Sequence, residues 1–259
     1  MKTNFKFARL SAVILLVEFF PGLRAGAFLV TGSYNVAPSA DAFVTTGPDG
    51  NLSADNFGGN GSLAVSAGGL PNGQFQSLLR FDLAGAVASL NAQCGVGKWQ
   101  IFDVTLTLWA VPPGNAIFNN PAGGSINVSL MQNDTWLQGT GTAAAPANSG
   151  VSFNNLPAIT SPGDPSLGTF SVPGSTSGQS VFTLALTPGI TGSLNGGTDL
   201  DLRLSAADNS VAYAFASASN PNLYPLLTVN VVPEPGMMTL GALGMSVLFI
   251  AGFAKRRRG

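Results

Sequence analysis

The chain has 259 residues, of which 9% are charged, and its 11 basic and 12 acidic residues leave a net charge of −1. That balance conceals an acidic middle: between Phe28 and Pro235 only Arg80, Lys98 and Arg203 offset ten Asp and one Glu, a charge of −8, which argues against a nucleic-acid partner because phosphate binding needs clustered Lys and Arg. Histidine is absent and Cys94 is the single cysteine, so His-based triads, His metal ligands, internal disulfides and multi-thiolate metal sites are excluded.

Residues 1–27 have the three-part form of a secretory signal peptide. Lys2, Lys6 and Arg9 precede the apolar run Leu10 to Phe20, and Ala25-Gly26-Ala27 supplies the small residues at which signal peptidase cuts. Glu18 interrupts the apolar run. The segment is expected to engage the Sec translocon and leave a mature body of residues 28–232.

That body is built of short alternating runs bounded by Gly, Pro, Asn or Ser, the period-two pattern of half-buried strands. Weak strands are expected near Ala42 to Thr45 and Leu63 to Ser66. Leu79, Phe81 and Leu83 then share one face, with Leu78, Arg80 and Asp82 on the other, and Val104, Leu106 and Leu108 repeat the pattern against Asp103, Thr105 and Thr107. Further runs are Val128 to Met131, Val181 to Leu186, Leu200 to Leu204, Val211 to Phe215 and Leu226 to Val231. About eight to ten strands suffice for two packed antiparallel sheets, so the expected fold is all-β, a β-sandwich or jelly roll. No segment shows a sustained helical period with caps, so helices should be short and incidental. Long loops are expected at Gly47 to Gly61, Val111 to Ser125, Gly139 to Gly150, Asn154 to Gly168 and Gly189 to Gly197, and sandwich folds place binding on such loops. The Gly139 to Gly150 stretch is read as flexible.

Hard oxygen ligands for Ca2+ gather at Asp49, Asn51, Asp55 and Asn56, with others at Asp199, Asp201, Asp208 and Asn209. Asp49-Gly50-Asn51 is equally a turn signature. Cys94 falls in an expected loop, Asn91 to Gly97, where it could pair between chains in an oxidising envelope or be buried as a small apolar residue. Trp136, beside Asn133 and Asp134 and leading into a long loop, is the best candidate for a sugar-stacking platform, core burial being the alternative. Trp99, Trp109, Tyr213 and Tyr224 are weaker candidates. Asp199 and Asp201 stand i and i+2 on a strand, about 6.5 to 7 Å apart on one face, crudely the spacing of a glycosidase pair. Their flanking leucines alternate onto the opposite face, so the plainer reading is two solvated carboxylates in a row with Arg203. No Gly-x-Ser-x-Gly or Ser-x-x-Lys occurs, and an enzyme is not expected.

The chain closes with Pro233-Glu234-Pro235, nineteen uncharged residues from Gly236 to Ala254, and Lys255-Arg256-Arg257-Arg258. At about 1.5 Å per residue the uncharged run approaches the roughly 30 Å hydrocarbon thickness, so 236–254 is expected to span as a transmembrane helix. The basic tail, 255–259, would stay cytoplasmic and leave the body outside. This order of triplet, short span and arginine cluster resembles the PEP-CTERM sorting signal of Gram-negative bacteria. The resemblance implies an exosortase as partner, cleavage near Pro233-Glu234-Pro235, a transient inner-membrane anchor, and passage to the cell surface or biofilm matrix. It also assigns Glu234 and the cluster Arg256, Arg257 and Arg258 to processing.

The succession Ala40-Asp41-Ala42-Phe43-Val44, Leu63-Ala64-Val65, Leu78-Leu79-Arg80-Phe81-Asp82-Leu83, Val104 to Leu108, Trp136, Val151 to Pro157 and Tyr224 to Val229 resembles the DNRLRE-type domain. It departs from that pattern at Ser217-Ala218-Ser219, where an Arg-Glu pair is expected, and at Gln138, where an acidic residue is commoner. The resemblance implies a jelly roll similar to carbohydrate-binding domains. The expected function is a non-catalytic, polysaccharide-binding body on an exported protein. The alternatives are a self-associating matrix protein and, third, a polysaccharide hydrolase or lyase. A −8 body would be repelled by polyanionic glycans unless cations bridge them, a second reason to consider calcium.

Overall fold

In a computed structural model, residues 32–112 and 123–234 are described. The signal peptide (1–27), Pro235, the expected membrane span (236–254) and the basic tail (255–259) lie outside the described residues. Among the described residues no helix is long and apolar enough to cross a membrane.

The elements run β1 (Gly32–Val36), β2 (Ala40–Thr45), β3 (Ser62–Ser66), β4 (Phe75–Asp82), α1 (Ala84–Cys94), β5 (Trp99–Trp109), β6 (Gly124–Leu130), α2 (Leu156–Ile159), β7 (Ser166–Val172), β8 (Gln179–Leu184), α3 (Pro188–Gly196), β9 (Asp199–Ala206), β10 (Ala212–Ala216) and β11 (Leu226–Pro233). They form an all-β sandwich of two antiparallel sheets. One has the order β1-β11-β5-β8; the other has the order β10-β3-β4-β9-β6-β7, with β2 also paired along β4. The pairs β6–β7, β5–β8, β4–β9 and β1–β11 nest inside one another along the chain. One long hairpin has thus been wound over two layers.

Period-two alternation fills the space between the sheets. Val104, Leu106 and Leu108 of β5 and Leu227, Val229 and Val231 of β11 meet Leu79 and Phe81 of β4 and Leu200, Leu202 and Leu204 of β9, all fully buried. An extra residue in β5 between Ile101 and Asp103 breaks the register with β11. This bulge turns Phe102 outward, where it is 64% exposed.

Part of the second sheet, around β2, β3, β4 and β10, is buried on both faces, which alternation alone does not foretell. Leu78, on the side expected to be solvated, is fully buried with Ala42, Val44, Met131, Trp136, Val151 and Leu156. The cover is the segment between Met131 and Ile159, a third layer without strands. Further along, Phe43, Phe57 and Phe75 pack over Ala64, Ala212 and Ala214, with the Phe43 and Phe57 rings stacked at 4.8 Å. Small alanines on β10 leave room for those rings. Where β3 diverges from β4 after the single pair Ser66 and Phe75, the buried Ser77 hydroxyl restores the ladder: it accepts from Ala64 N–H at 3.0 Å and donates to Ala64 C=O at 2.7 Å.

Several expectations need correction. Asn91 to Cys94, expected in a loop, close the eleven-residue helix α1. Gly189 to Gly197, expected as a loop, is nearly all helix α3. The Thr187 side chain caps it by accepting from Ile190 N–H, Pro188 begins it, and Gly197 ends it in the left-handed region at φ 62°. Asn154 to Gly168 contains α2 and the start of β7. The Gly139 to Gly150 stretch, expected to be flexible, is hydrogen-bonded into the body at several points.

Candidate functional site

Arg80 of β4 and Asp201 of β9 are paired in register across the outer face of the second sheet. Arg80 Nε donates to Asp201 Oδ1 at 2.9 Å, and the indole N–H of Trp136 donates to the same oxygen. The guanidinium carbon lies 4.9 Å from the centre of the Trp136 ring, and Nη2 donates to the carbonyl of Asp134. Asp199 stands farther off, its Oδ2 3.7 Å from Arg80 Nε. This network fastens the third layer to the sheet. Burial pushes the Asp201 carboxyl above the ordinary carboxylate range, while the Trp136 and Arg80 donors pull it back.

The reading of Asp199 and Asp201 as two solvated carboxylates is therefore corrected: Asp201 is 2% exposed. Alternation placed it correctly on the outer face, but the covering segment takes that part of the face away from water. Trp136 itself is 3% exposed. It contributes an edge to an open depression of about 240 Å³, which Thr135, Leu137, Val151, Asn155 and Ile159 also line. Leu137 is 71% exposed there. Asn133 closes a local turn, its Oδ1 accepting from Thr135 N–H and Oγ1–H. Among the weaker aromatic candidates, Trp99 and Tyr213 are buried and Trp109 is half-buried, while Tyr224 is 38% exposed.

The four residues considered for calcium do not form one ligand set. Asp49, Asn51 and Asp55 lie on the exposed or half-buried part of their loop, whereas Asn56 is fully buried. Its Oδ1 accepts from Gly58 N–H and Gly141 N–H, both at 3.1 Å, and its Nδ2 donates to Gln138 C=O and Val151 C=O, both at 2.7 Å. Such an amide has no oxygen to offer a cation. Among the described residues no group of three or more Asp, Glu, Cys or His stands together as a metal site. Asp208 accepts from the N–H groups of Ser125, Ser210 and Val211 and from the Ser210 hydroxyl. These donors lower its carboxyl to about 2, those of Ser210 contributing most.

Asp41, on β2, is a buried acid that the sequence did not single out. It is 2% exposed, and its Oδ2 accepts from Ala218 N–H. Burial raises its carboxyl from 3.8 to about 6, the Ala218 hydrogen bond opposing the shift. A folded value above the unfolded one makes stability greatest in acid and lost as the pH rises toward the folded value. Asp41 should thus remove about 3 kcal/mol between pH 4 and 6, at about 1.4 kcal/mol per pH unit. Asp41→Asn is expected to flatten that part of the stability profile and to melt higher than the native chain at pH 7. Thermal melts of both chains from pH 4 to 8 check this; parallel profiles would sink the assignment.

At the far end of β11, Val231 pairs with Gly32, and Pro233 lies opposite Trp99. Glu234 N–H donates to Lys98 C=O at 2.8 Å, and Gln100 Nε2 reaches Glu234 Oε1 at 3.4 Å. The sheet therefore runs directly into the Pro-Glu-Pro triplet. Comparison with protein-family models and with curated proteins finds no match.

Proposed function

We propose that this chain is an exported, exosortase-processed protein of a Gram-negative cell surface or biofilm matrix, whose β-sandwich binds polysaccharide without catalysis. The observation that carries the reading is the pairing of Gly32 with Val231 at one end of the four-stranded sheet. The described chain thus begins at Gly32 and ends past Pro233 at one end of that sheet, which supports a body whose N-terminal signal and C-terminal sorting triplet address the same membrane. The nested strand pairs support reading the sandwich as a jelly roll, an architecture used by lectin domains. Burial of Asp201 beneath Trp136 favours binding over glycosidic catalysis, because one of the two carboxylates spaced for that chemistry is tied to Arg80 and turned away from solvent.

Mass spectrometry of the chain isolated from its own envelope tests the processing. A mature protein beginning at Phe28 and ending near Pro233-Glu234-Pro235 is expected; one that retains Arg256, Arg257 and Arg258 would remove this part of the reading. Retention on immobilised exopolysaccharide tests the binding. A self-associating matrix role has one observation in its favour: Phe102 and Val181, 64% and 55% exposed, both lie on strands of the four-stranded sheet. Concentration-dependent sedimentation without glycan retention would favour that role.

A further inference from the structure

The stretch between Asp82 and Asp103 contains no acidic residue, and Lys98 is its one charge, in a body that otherwise carries −8. Within it, helix α1 gives way to β5 through the turn Gly95 to Lys98, closed by Lys98 N–H donating to Gly95 C=O at 3.1 Å. Asn91 Oδ1 braces the turn, accepting from Gly97 N–H at 3.4 Å and from the Trp99 indole N–H at 2.9 Å. Val96 sits between two glycines of positive φ, 92° and 62°. It is 81% exposed, the most exposed large apolar side chain among the described residues. Lys98 is exposed as well, whereas Arg80 and Arg203 are half-buried.

A single exposed valine needs no explanation by itself; the place of this one supplies a reason. Both ends of the described chain meet the turn. Glu234 N–H donates to Lys98 C=O at 2.8 Å. Gly32 pairs with Val231, and a β-carbon on it would lie 3.2 Å from Cys94 Sγ, at the end of α1. The uncharged run begins at Gly236, two residues beyond Glu234. Two residues reach at most about 7 Å and neighbouring strands lie about 5 Å apart. With 236–254 in the hydrocarbon, the Lys98 backbone is therefore within about 12 Å of its edge, where the headgroup layer is itself about 5–8 Å deep.

Resting on the reading of residues 233–259 as a membrane sorting signal, we infer that the Gly95 to Lys98 turn docks on the lipid surface while the chain is anchored. Val96 enters the headgroup layer, and the Lys98 ammonium meets the phosphates of anionic phospholipids. An anionic leaflet repels the acidic remainder of the body, so the acid-free end is the one that faces it. Glu234, the acid beside the turn, is exposed, with Gln100 Nε2 donating to its Oε1 at 3.4 Å. The contact holds the Pro-Glu-Pro triplet at a fixed height on the membrane. One valine and one lysine suffice only while the span keeps the turn at the surface, because tethering supplies the effective concentration. Cleavage at the triplet thus also releases the body.

The test uses the exported chain, with its signal peptide removed by the producing cell and residues 236–259 intact, reconstituted into phosphatidylglycerol–phosphatidylcholine vesicles that contain a headgroup spin-labelled lipid. A fluorophore is placed by Val96→Cys in a Cys94→Ser background, and by Leu137→Cys as a control over the other sheet. The label at 96 should be quenched and the label at 137 should not. Lys98→Gln should lower the contact equilibrium read at 96 by about fivefold, the worth of one lysine at an anionic surface. It should change nothing in pure phosphatidylcholine, and its melting temperature should match the native one because the side chain is exposed. Equal quenching at both positions, or quenching at 96 that Lys98→Gln leaves unchanged, would overturn the docking and leave the sorting-signal reading standing. Extraction of the native chain from the vesicles by alkaline carbonate would remove both.

Discussion

Asn56→Ala is expected to destabilise the body by about 4 kcal/mol, because four buried backbone groups lose their partner at once and each costs about 1–3 kcal/mol when unpaired. Val151 and Gln138 lose a donor to their carbonyls, and Gly58 and Gly141 lose an acceptor for their N–H groups. The backbones around this amide are close: a β-carbon at Gly58 would overlap the Gln138 carbonyl, and one at Gly141 the carbonyl of Asn56. Backbones this close have little room to shift toward new partners for the freed groups. At about 2–4 °C per kcal/mol for a body of this size, the melting temperature should fall on the order of 10 °C. Asn56→Asp should do no better, since it keeps the acceptor, loses both donated bonds and buries a charge. Proteolysis should become faster between Gly139 and Gly150, the segment that Asn56 holds. Native resistance there, with an unchanged melt, would show the hub to be dispensable. Added calcium or chelator should alter neither the native nor the variant melt through this residue.

What the sequence revealed and what it hid divide along a physical line. Strands β4, β5, β9 and β11 were legible because one face of each meets the opposite sheet, and that contact demands apolar residues at every second position. The outer face of the second sheet was not legible. Its cover is an irregular segment whose grip depends on single side chains, Trp136 and Asn56, and single contacts leave no period. The adjacent apolar pair Leu78-Leu79 was the one available sign, since a strand with only one buried face has no use for both. Helix α3 was readable from Thr187, Pro188 and Gly197, the cap, first-turn proline and terminal glycine of a short helix. Helix α1 was harder: it has no side-chain cap, and it buries only Ala86 and Leu90. Strand β7 was obscured by Gly168 and by the irregular register with β6 between Val128 and Ser129.

The same line separates the residues of the candidate site. Arg80, Asp201 and Arg203 could be placed on one face from alternation, but which arginine would be paired could not. The choice depends on Trp136, whose indole N–H and ring face select the Arg80 side, and it is separated from Asp201 by 65 positions. Arg203, two residues along, is left with its polar neighbours Ser129 and Gln76. Packing of the third layer thus treats two similar cations differently: Arg80 is fixed in the network, whereas Arg203 forms no ion pair among the described residues.

That division predicts a strongly non-additive pair of substitutions at Arg80 and Asp201. Asp201→Leu leaves a guanidinium whose side chain is 17% exposed, with Asp199 3.7 Å away as its remaining acid. Arg80→Met leaves a 2% exposed carboxylate with only the Trp136 indole as donor. Each single change should cost about 3–5 kcal/mol, the usual result of stranding one member of a buried ion pair. The double variant should cost no more than either single one, because the apolar side chains satisfy each other where the charges did. Urea unfolding of the four chains closes the cycle, and additive losses would mean that the pair does not act as a unit. The pH dependence gives an independent reading. With Arg80 present, two opposing influences hold the Asp201 carboxyl only partly raised; without it burial acts against the Trp136 bond alone, and the carboxyl should rise further. Arg80→Met should therefore lose most stability at neutral pH and recover part of it in acid, where Asp201 is protonated and its burial no longer opposes folding. A loss of equal size at pH 4 and pH 7 would place the role of Arg80 in packing against Trp136 and not in its charge.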